Sequence, residues 1–309
     1  MCLHDAAGYH LYVRTRLIPA LATGAAILLA ACSGGGDASP AVVVPSTSRP
    51  TVAATATLTP APTSEPITAP FELPIVMYHD VAEVAPDDVY RAASNVLPTD
   101  FAAQLDYLKC AGYTAITPSQ LLDAIAGRAQ LPEKPVILTF DDGYSDHYTQ
   151  VFPALRERGM TGAFAIITGF VEGGGDYMSW AEIKEMSDAG MEIMSHTVTH
   201  IDLNTSDDAT AEGQLRDSRT AIEGHTGKAP TALVYPAGEP FRSGTEERQA
   251  QVVSMVKDAG YKGALLAGPS TAAQDPAQPF ALNRLRVGEG TDLATFVAFL
   301  GGTASPGCE

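Results

Sequence analysis

Two acidic residues, Asp141 and Asp142, stand side by side at the end of an apolar run, Val136-Ile-Leu-Thr-Phe140, with Gly143 behind them. The run reads as a buried strand and the pair as its tip. Adjacent carboxylates repel, so either one is protonated or a cation joins one of them to a partner. Asp-Asp-Gly is also ordinary turn chemistry. A second stretch, Ser195-His-Thr-Val-Thr-His200, changes the balance. His196 and His200 are spaced so that one helical turn, or a tight loop after a strand, aims both imidazoles at one point. With one carboxylate they form a set that holds a divalent metal and leaves positions open for water and substrate. Histidines at this spacing occur in helices by chance. Here the pair directly follows another apolar run, Met191-Glu-Ile-Met194.

The elements that must position these groups alternate along the chain. Ile75-Val-Met-Tyr78 reads as a strand closed by His79 and Asp80. Phe101, Leu105 and Leu108 lie on one helix face, with Gly112 as stop signal. Thr114–Thr117 is a strand; Leu121, Leu122 and Ile125 mark a helix ended by Gly127. After the Asp-Asp strand come a helix around Thr149–Arg158 and a strand Ala163–Ile167. Ser179-Trp-Ala-Glu182 has the capping-box pattern, opening a helix with Trp180, Ile183 and Met186 inward. Trp180 is either core and groove wall or a sugar-stacking platform. Later come a helix with Leu215 and Ile222, a strand Ala232–Tyr235, a helix with Val253 and Val256, strands Gly263–Leu266 and Leu282–Val287, and a helix through Phe296 and Leu300. Strand–helix alternation calls for parallel strands with right-handed crossovers, and seven or eight units favour a distorted (β/α) barrel. His79, Asp141, Asp142, His196, Tyr235 and Pro236 all fall at strand C-terminal ends, the face on which such barrels carry their active sites. Arg284 and Arg286 alternate with Leu285 and Val287, so both are expected on the inward face. A buried arginine needs a carboxylate, and Asp141 is the candidate, as a working pair or a merely structural one.

Thr-Phe-Asp-Asp-Gly143 followed by Ser-His-Thr-Val-Thr-His200 resembles the polysaccharide deacetylase family (NodB homology, carbohydrate esterase family 4) over about residues 71 to 300. Met77-Tyr-His-Asp-Val81, Tyr235-Pro-Ala-Gly238 and Asn283-Arg-Leu-Arg-Val287 are most similar to its poly-β-1,6-N-acetylglucosamine de-N-acetylase branch. The resemblance implies hydrolysis of acetyl groups on carbohydrate polymers, with Asp142, His196 and His200 on one divalent metal, zinc first and cobalt or nickel as alternatives. It implies Asp141 as general base, the backbone N–H of Ala237 as oxyanion donor, and Arg284 as the branch's arginine. The branch usually has tyrosine where Ala237 stands, and the family's common arginine before the proline is missing. Most of the family draws its acid from a late histidine, and this chain has none after His225. With His196 and His200 on metal, His147 towards the following helix and His225 in an apparent surface turn between glycines, His79 remains as the acid. That agrees with the branch; the alternative is a rim hydrogen bond only.

Ahead of this domain, expected over residues 71–309, Arg14 and Arg16 precede an apolar run to Ala31, and Leu29-Ala-Ala-Cys32 resembles a bacterial lipobox. Residues 1–31 are read as a signal peptide and Cys32 as a lipidated membrane anchor, with an uncleaved span as alternative. The first dozen residues fit poorly before such a signal, so translation is read as starting near Val13. Residues 32–70, rich in Ala, Pro, Ser and Thr, are read as a disordered tether. The protein is expected in the cell envelope, outside the cytoplasm, where Cys110 and Cys308 either form a disulfide or stand as separate thiols. A net charge of −17 over 309 residues argues against nucleic acid and other polyanions as partners, and 45% hydrophobic content is ample for a core. Three functions fit: a de-N-acetylase of an acetylated amino-sugar polymer, an O-acetyl esterase on xylan or a similar glycan, and a non-catalytic glycan-binding lipoprotein. A binding module needs neither the Asp-Asp pair nor the two histidines, which argues against the third.

Overall fold

The computed structural model describes residues 65–83, 91, 93–302 and 307–308. The signal peptide, Cys32 and nearly all of the tether lie outside the described residues. No helix among the described residues is long and apolar enough to cross a membrane.

The elements run β1 (Phe71–Glu72), β2 (Ile75–Tyr78), α1 (Pro98–Cys110), β3 (Thr114–Ala115), α2 (Pro118–Ile125) and β4 (Pro135–Phe140). A π-type turn (His147–Val151) leads into α3 (Phe152–Arg158), followed by β5 (Ala163–Ile166), α4 (Trp180–Asp188), β6 (Glu192–Ser195), α5 (Asp208–Thr226) and β7 (Ala232–Val234). Then come α6 (Glu246–Asp258), β8 (Gly263–Ser270), β9 (Ala273–Gln274), β10 (Leu282–Arg286) and α7 (Leu293–Phe299). Seven strands close a parallel ring in the order β2-β10-β8-β7-β6-β5-β4, and β4 returns to pair with β2. The eighth, β3, pairs only with the first residues of β4. The fold is a distorted (β/α) barrel. The two-stranded antiparallel pair β1–β9 has no signature in the sequence, because two-residue strands show no periodicity.

Strand period two sorts the side chains. Ile75, Ile137, Ala163, Ala165, Met194, Ala232, Val234, Leu265 and Leu282 fill the lumen as one cluster. Their strand neighbours Val76, Tyr78, Val136, Leu138, Phe140 and Phe164 face outward beneath α1, α3 and α4. Leu233 and Ala264 face α5 and α6. Followed upward two residues at a time, the lumen phase arrives at His79, Asp141, His196 and Arg284. The barrel therefore delivers these four groups to its mouth by alternation alone.

Helix starts follow local chemistry. Thr117 and Ser179 each form a complete capping box, with Gln120 and Glu182. Trp180 stacks face to face on His225, with ring centroids 4.1 Å apart, and packs against the outer core. The packing reading holds for Trp180. His225 lies in the last turn of α5 and not in a surface turn, since Gly227, at φ 77°, supplies the helix stop one residue beyond Thr226.

Candidate active site

Asp142 is out of phase with the lumen, one residue past Asp141, and an ordinary strand exit would aim it outward. Its backbone instead takes a left-handed conformation, φ 77°, which turns the carboxylate back over the mouth. Thr197 (φ 65°), His200 (φ 56°) and Ala237 (φ 53°) are left-handed too. Such backbones cost a non-glycine residue about 1–2 kcal/mol each, and they gather where side chains must be re-aimed. The His196–His200 loop is held in this shape from beneath. Gln214 Oε1 accepts from the N–H groups of Val198 and Thr199, both at 2.9 Å, and Thr197 Oγ1 accepts from His200 N at 3.1 Å. Gly169 N–H donates to Val198 O at 2.8 Å, and a Cβ on Gly169 would lie 2.6 Å from that oxygen. Only glycine permits the approach.

The result is a convergence of three donors. One ligand atom each from Asp142, His196 and His200 lies within 4.8 Å of the other two. His196 Nε2 stands 3.5 Å and His200 Nε2 3.9 Å from Asp142 Oδ1. Tetrahedral coordination with bonds near 2.0–2.1 Å places ligand atoms roughly 3.4 Å apart, so the set fits a divalent cation with a small contraction. His196 Nδ1 lies 2.9 Å from Val234 O. A carbonyl only accepts, so Nδ1 carries the proton and Nε2 keeps its lone pair for the cation. Burial, and then the charge of His200, push His196 down to about 3. Burial lowers His200 as well. Both imidazoles are neutral at pH 7, as metal ligands must be. Burial and the neighbouring Asp141 push Asp142 up to about 7, an anion excess that a cation relieves.

Asp141 has the opposite environment. Burial would raise it, but the Arg284 guanidinium overrides burial by charge and hydrogen bonds and holds the carboxyl well below the usual carboxylate range. The contact is a two-pronged fork: Nη1 to Oδ1 at 2.7 Å and Nη2 to Oδ2 at 2.8 Å. Arg284 is fully buried, and its remaining donors reach Leu266 O at 2.5 Å and Thr139 Oγ1 at 3.2 Å. The sequence expectation of an inward arginine on Asp141 holds. It fails for Arg286, which is exposed, because the strand carries it past the rim of the lumen. His79 is partly buried at the tip of β2; burial, only partly offset by Asp141, pushes it down to about 4. Ala237 sits in a single 3₁₀ turn, Pro236–Gly238, directly after β7.

Two groups near the site have contacts that the sequence does not show: His147, set aside above as lying towards the following helix, and Asp146. His147 is fully buried and its Nε2 lies 2.7 Å from His79 O; Asp146 Oδ2 accepts from Val81 N at 2.7 Å. The available signal was two adjacent polar residues placed where the outward core of a helix start belongs.

Fold and geometry define a (β/α)-barrel enzyme whose mouth carries a two-histidine, one-carboxylate centre beside a separate arginine-paired carboxylate. Residues 128–264 match the family model for polysaccharide deacetylase, and the chain carries a domain of that family. A deacetylase of Streptococcus pyogenes, PplD, solved with acetate, superposes with a TM-score of 0.67 at 25% identity, covering 75% of this chain and 99% of its own. The Bacillus subtilis (strain 168) protein YxkH is 27% identical over 231 residues, 75% of this chain and 77% of its own. The poly-β-1,6-N-acetyl-D-glucosamine N-deacetylase of Escherichia coli (strain K12) is more distant in extent. It is 28% identical over 137 residues, which are 40% of this chain and 20% of that protein.

Proposed function

We propose that this chain is a metal-dependent de-N-acetylase of an amino-sugar polymer, acting outside the cytoplasm, with poly-β-1,6-N-acetylglucosamine as the leading substrate. The observation that carries the reading is the division of labour between the two aspartates: Asp142 converges with His196 and His200, while Asp141 is kept ionised and off that centre by Arg284. Asp142, His196 and His200 would hold a divalent cation, zinc first for this nitrogen and oxygen set, and when bound it would supply polarisation of the acetyl carbonyl and a more acidic water. Asp141 accepts the proton that the attacking water gives up. His79, neutral above about pH 4, takes over the water proton that Asp141 accepted and hands it to the amide nitrogen as the C–N bond breaks, which leaves Asp141 a carboxylate again. The N–H of Ala237 stabilises the oxyanion as the water oxygen bonds to carbon.

The polymer is supported by the Met77–Val81 and Asn283–Val287 motifs and by the partial match to the E. coli enzyme. Ala237 removes the aromatic side chain that this branch usually places in the groove. Acetate release from acetylglucosamine oligomers and from acetylated xylan, with and without chelator, tests the proposal. Release from the oligomers, lost on chelation and restored by zinc, is expected. Release from xylan alone would move the chain to the O-acetyl esterases. The lipobox at Leu29–Cys32 supports a lipid anchor in the envelope, and the bond between Cys110 and Cys308 is compatible with an oxidising compartment. Mass spectrometry of the mature chain tests the anchor: it should begin at a diacylated or triacylated Cys32.

A further inference from the structure

The segment directly behind the Asp-Asp pair makes contacts that neither metal binding nor core packing requires. The last ladder bond between β2 and β4 runs from Asp141 N to Tyr78 O; beyond it, residues 79–81 have left the sheet on that side. Two consecutive side chains take over. His147 presents Nε2 to His79 O at 2.7 Å, and Asp146 Oδ2 accepts from Val81 N at 2.7 Å. One donor and one acceptor thus flank Asp80, as a neighbouring strand would supply them. Since a carbonyl only accepts, His147 carries its proton on Nε2. Its Nδ1 is left buried, without a hydrogen-bond partner among the described residues.

Three further observations mark this as more than loop packing. His147 opens a π-type turn, a rare geometry that concentrates at functional sites. Its ring is wedged among Phe140, Tyr144 and Phe164, at centroid distances of 5.7, 6.0 and 5.7 Å, so it has no freedom to swing away. Among the described residues, buried side-chain polar atoms without a partner include His79 Nδ1, Asp80 Oδ2, Asp146 Oδ1 and His147 Nδ1, all at this one strand tip. Natural cores seldom tolerate such atoms without a functional return.

We infer that His147 and Asp146 are positioning residues that clamp the tip of β2 and thereby fix His79 over the scissile nitrogen. The inference rests on the reading of His79 as the proton donor. His79 is the first residue beyond β2, where backbone fraying alone would spread its ring over more than the sub-ångström tolerance of proton transfer. The clamp ties that exit to the chain that also carries Asp141 and Asp142, so donor and acceptor move as one body.

The test compares two substrates in the metal-loaded enzyme. An acetamide needs a proton on its leaving nitrogen; an aryl acetate expels a phenolate that needs none. His147→Leu removes the donor to His79 O, and His147→Gln places an amide N–H near the former Nε2. The inference expects His147→Leu to lower kcat on the acetamide by about tenfold, with KM, metal content and aryl-acetate turnover close to those of the native enzyme. His147→Gln should recover most of the loss. Asp146→Ala and Asp146→Asn should behave as the corresponding pair, since the asparagine oxygen still accepts from Val81 N. Equal loss on both substrates, or no loss on the acetamide, would overturn the clamp. His79→Ala is the reference. If it spares the acetamide, the proton-donor reading fails and the clamp falls with it. If it loses the acetamide selectively while His147→Leu does not, the clamp alone is wrong. A His147→Leu protein too unstable to assay leaves the Asp146 pair to decide.

Discussion

Asp141 and Asp142 are chain neighbours with opposite electrostatic surroundings, and the difference is made by one arginine. Asp141→Asn keeps the fork-like shape but abolishes the proton acceptor. Metal content should stay at the native level while turnover falls about 10²–10⁴-fold. Metal analysis beside acetate release checks both, and loss of metal would exchange the roles of the two aspartates. Arg284→Met should be costly in another way. It leaves the buried Asp141 carboxylate without its partner, and breaking such a pair costs about 3–5 kcal/mol of stability at neutral pH. The sign with pH is informative. In the native protein the folded pKa of Asp141 lies below its unfolded value near 3.9, so the pair's stabilisation is complete above about pH 4 and is lost only as pH falls through the folded value. In Arg284→Met the guanidinium is gone and burial, the largest remaining influence, lifts the folded pKa above the unfolded one. The variant's deficit should therefore shrink as pH is lowered from 7 towards 4, measured by denaturant unfolding of both proteins. These residues were legible because acids, histidines and an arginine at the ends of apolar strands are conspicuous. His147 and Asp146 were not, because their role is a side-chain bond to the backbone of a segment far back in the sequence.

At the scale of elements, alternation explains what could be read. Each barrel strand is a short apolar run with a turn residue or a polar group behind it, and period two alone carries His79, Asp141, His196 and Arg284 to the mouth. Asp142, His200 and Ala237 obey no such period. Their side chains or N–H groups are re-aimed by left-handed backbone, which a sequence of non-glycine residues conceals. Arg286 was misjudged for a related reason: alternation gives the face but not the height at which the lumen ends. Trp180 shows that an aromatic residue at a helix start is resolved only by its neighbour across the interface, here His225. Ala237 supplies a prediction at this level. It holds φ 53° and ψ 11° inside the short turn after β7, where glycine is free of the Cβ conflict. Ala237→Gly should raise stability by about 1 kcal/mol in denaturant unfolding. It should also lower kcat more than KM is changed, since the freer backbone aims the N–H at the oxyanion less often. A destabilised Ala237→Gly protein would show that the turn is not strained.

Across the whole molecule, the barrel is closed twice, once by hydrogen bonds and once by a covalent bond. The ring closes through β2, the first barrel strand, which pairs with both β4 and β10, the last. Beyond β10 the chain crosses back over the first helix: Gln104 on α1 donates to Thr291 O at 3.1 Å, and Phe296 and Val297 of α7 join the core beneath α1. Cys308 then reaches Cys110, the last residue of α1, across a sequence separation of 198. A cross-link of that span removes a large part of the unfolded chain's freedom, worth about 5 kcal/mol on chain entropy alone. The tail already packs against α1 without it, and measured values fall below the entropic figure, so a loss of about 2–4 kcal/mol is expected for Cys308→Ser. The bridge lies on the outside of α1 and touches none of the strand tips that carry Asp141, Asp142, His196 or His79. Turnover per folded molecule should therefore equal that of the native enzyme at 25 °C, while the midpoint of unfolding falls. Reduction of the native protein should shift the midpoint by the same amount. If Cys308→Ser lowered kcat with the fold intact, the tail would be coupled to the mouth of the barrel through α1, and the separation of stabilising shell from reacting groups would have to be abandoned.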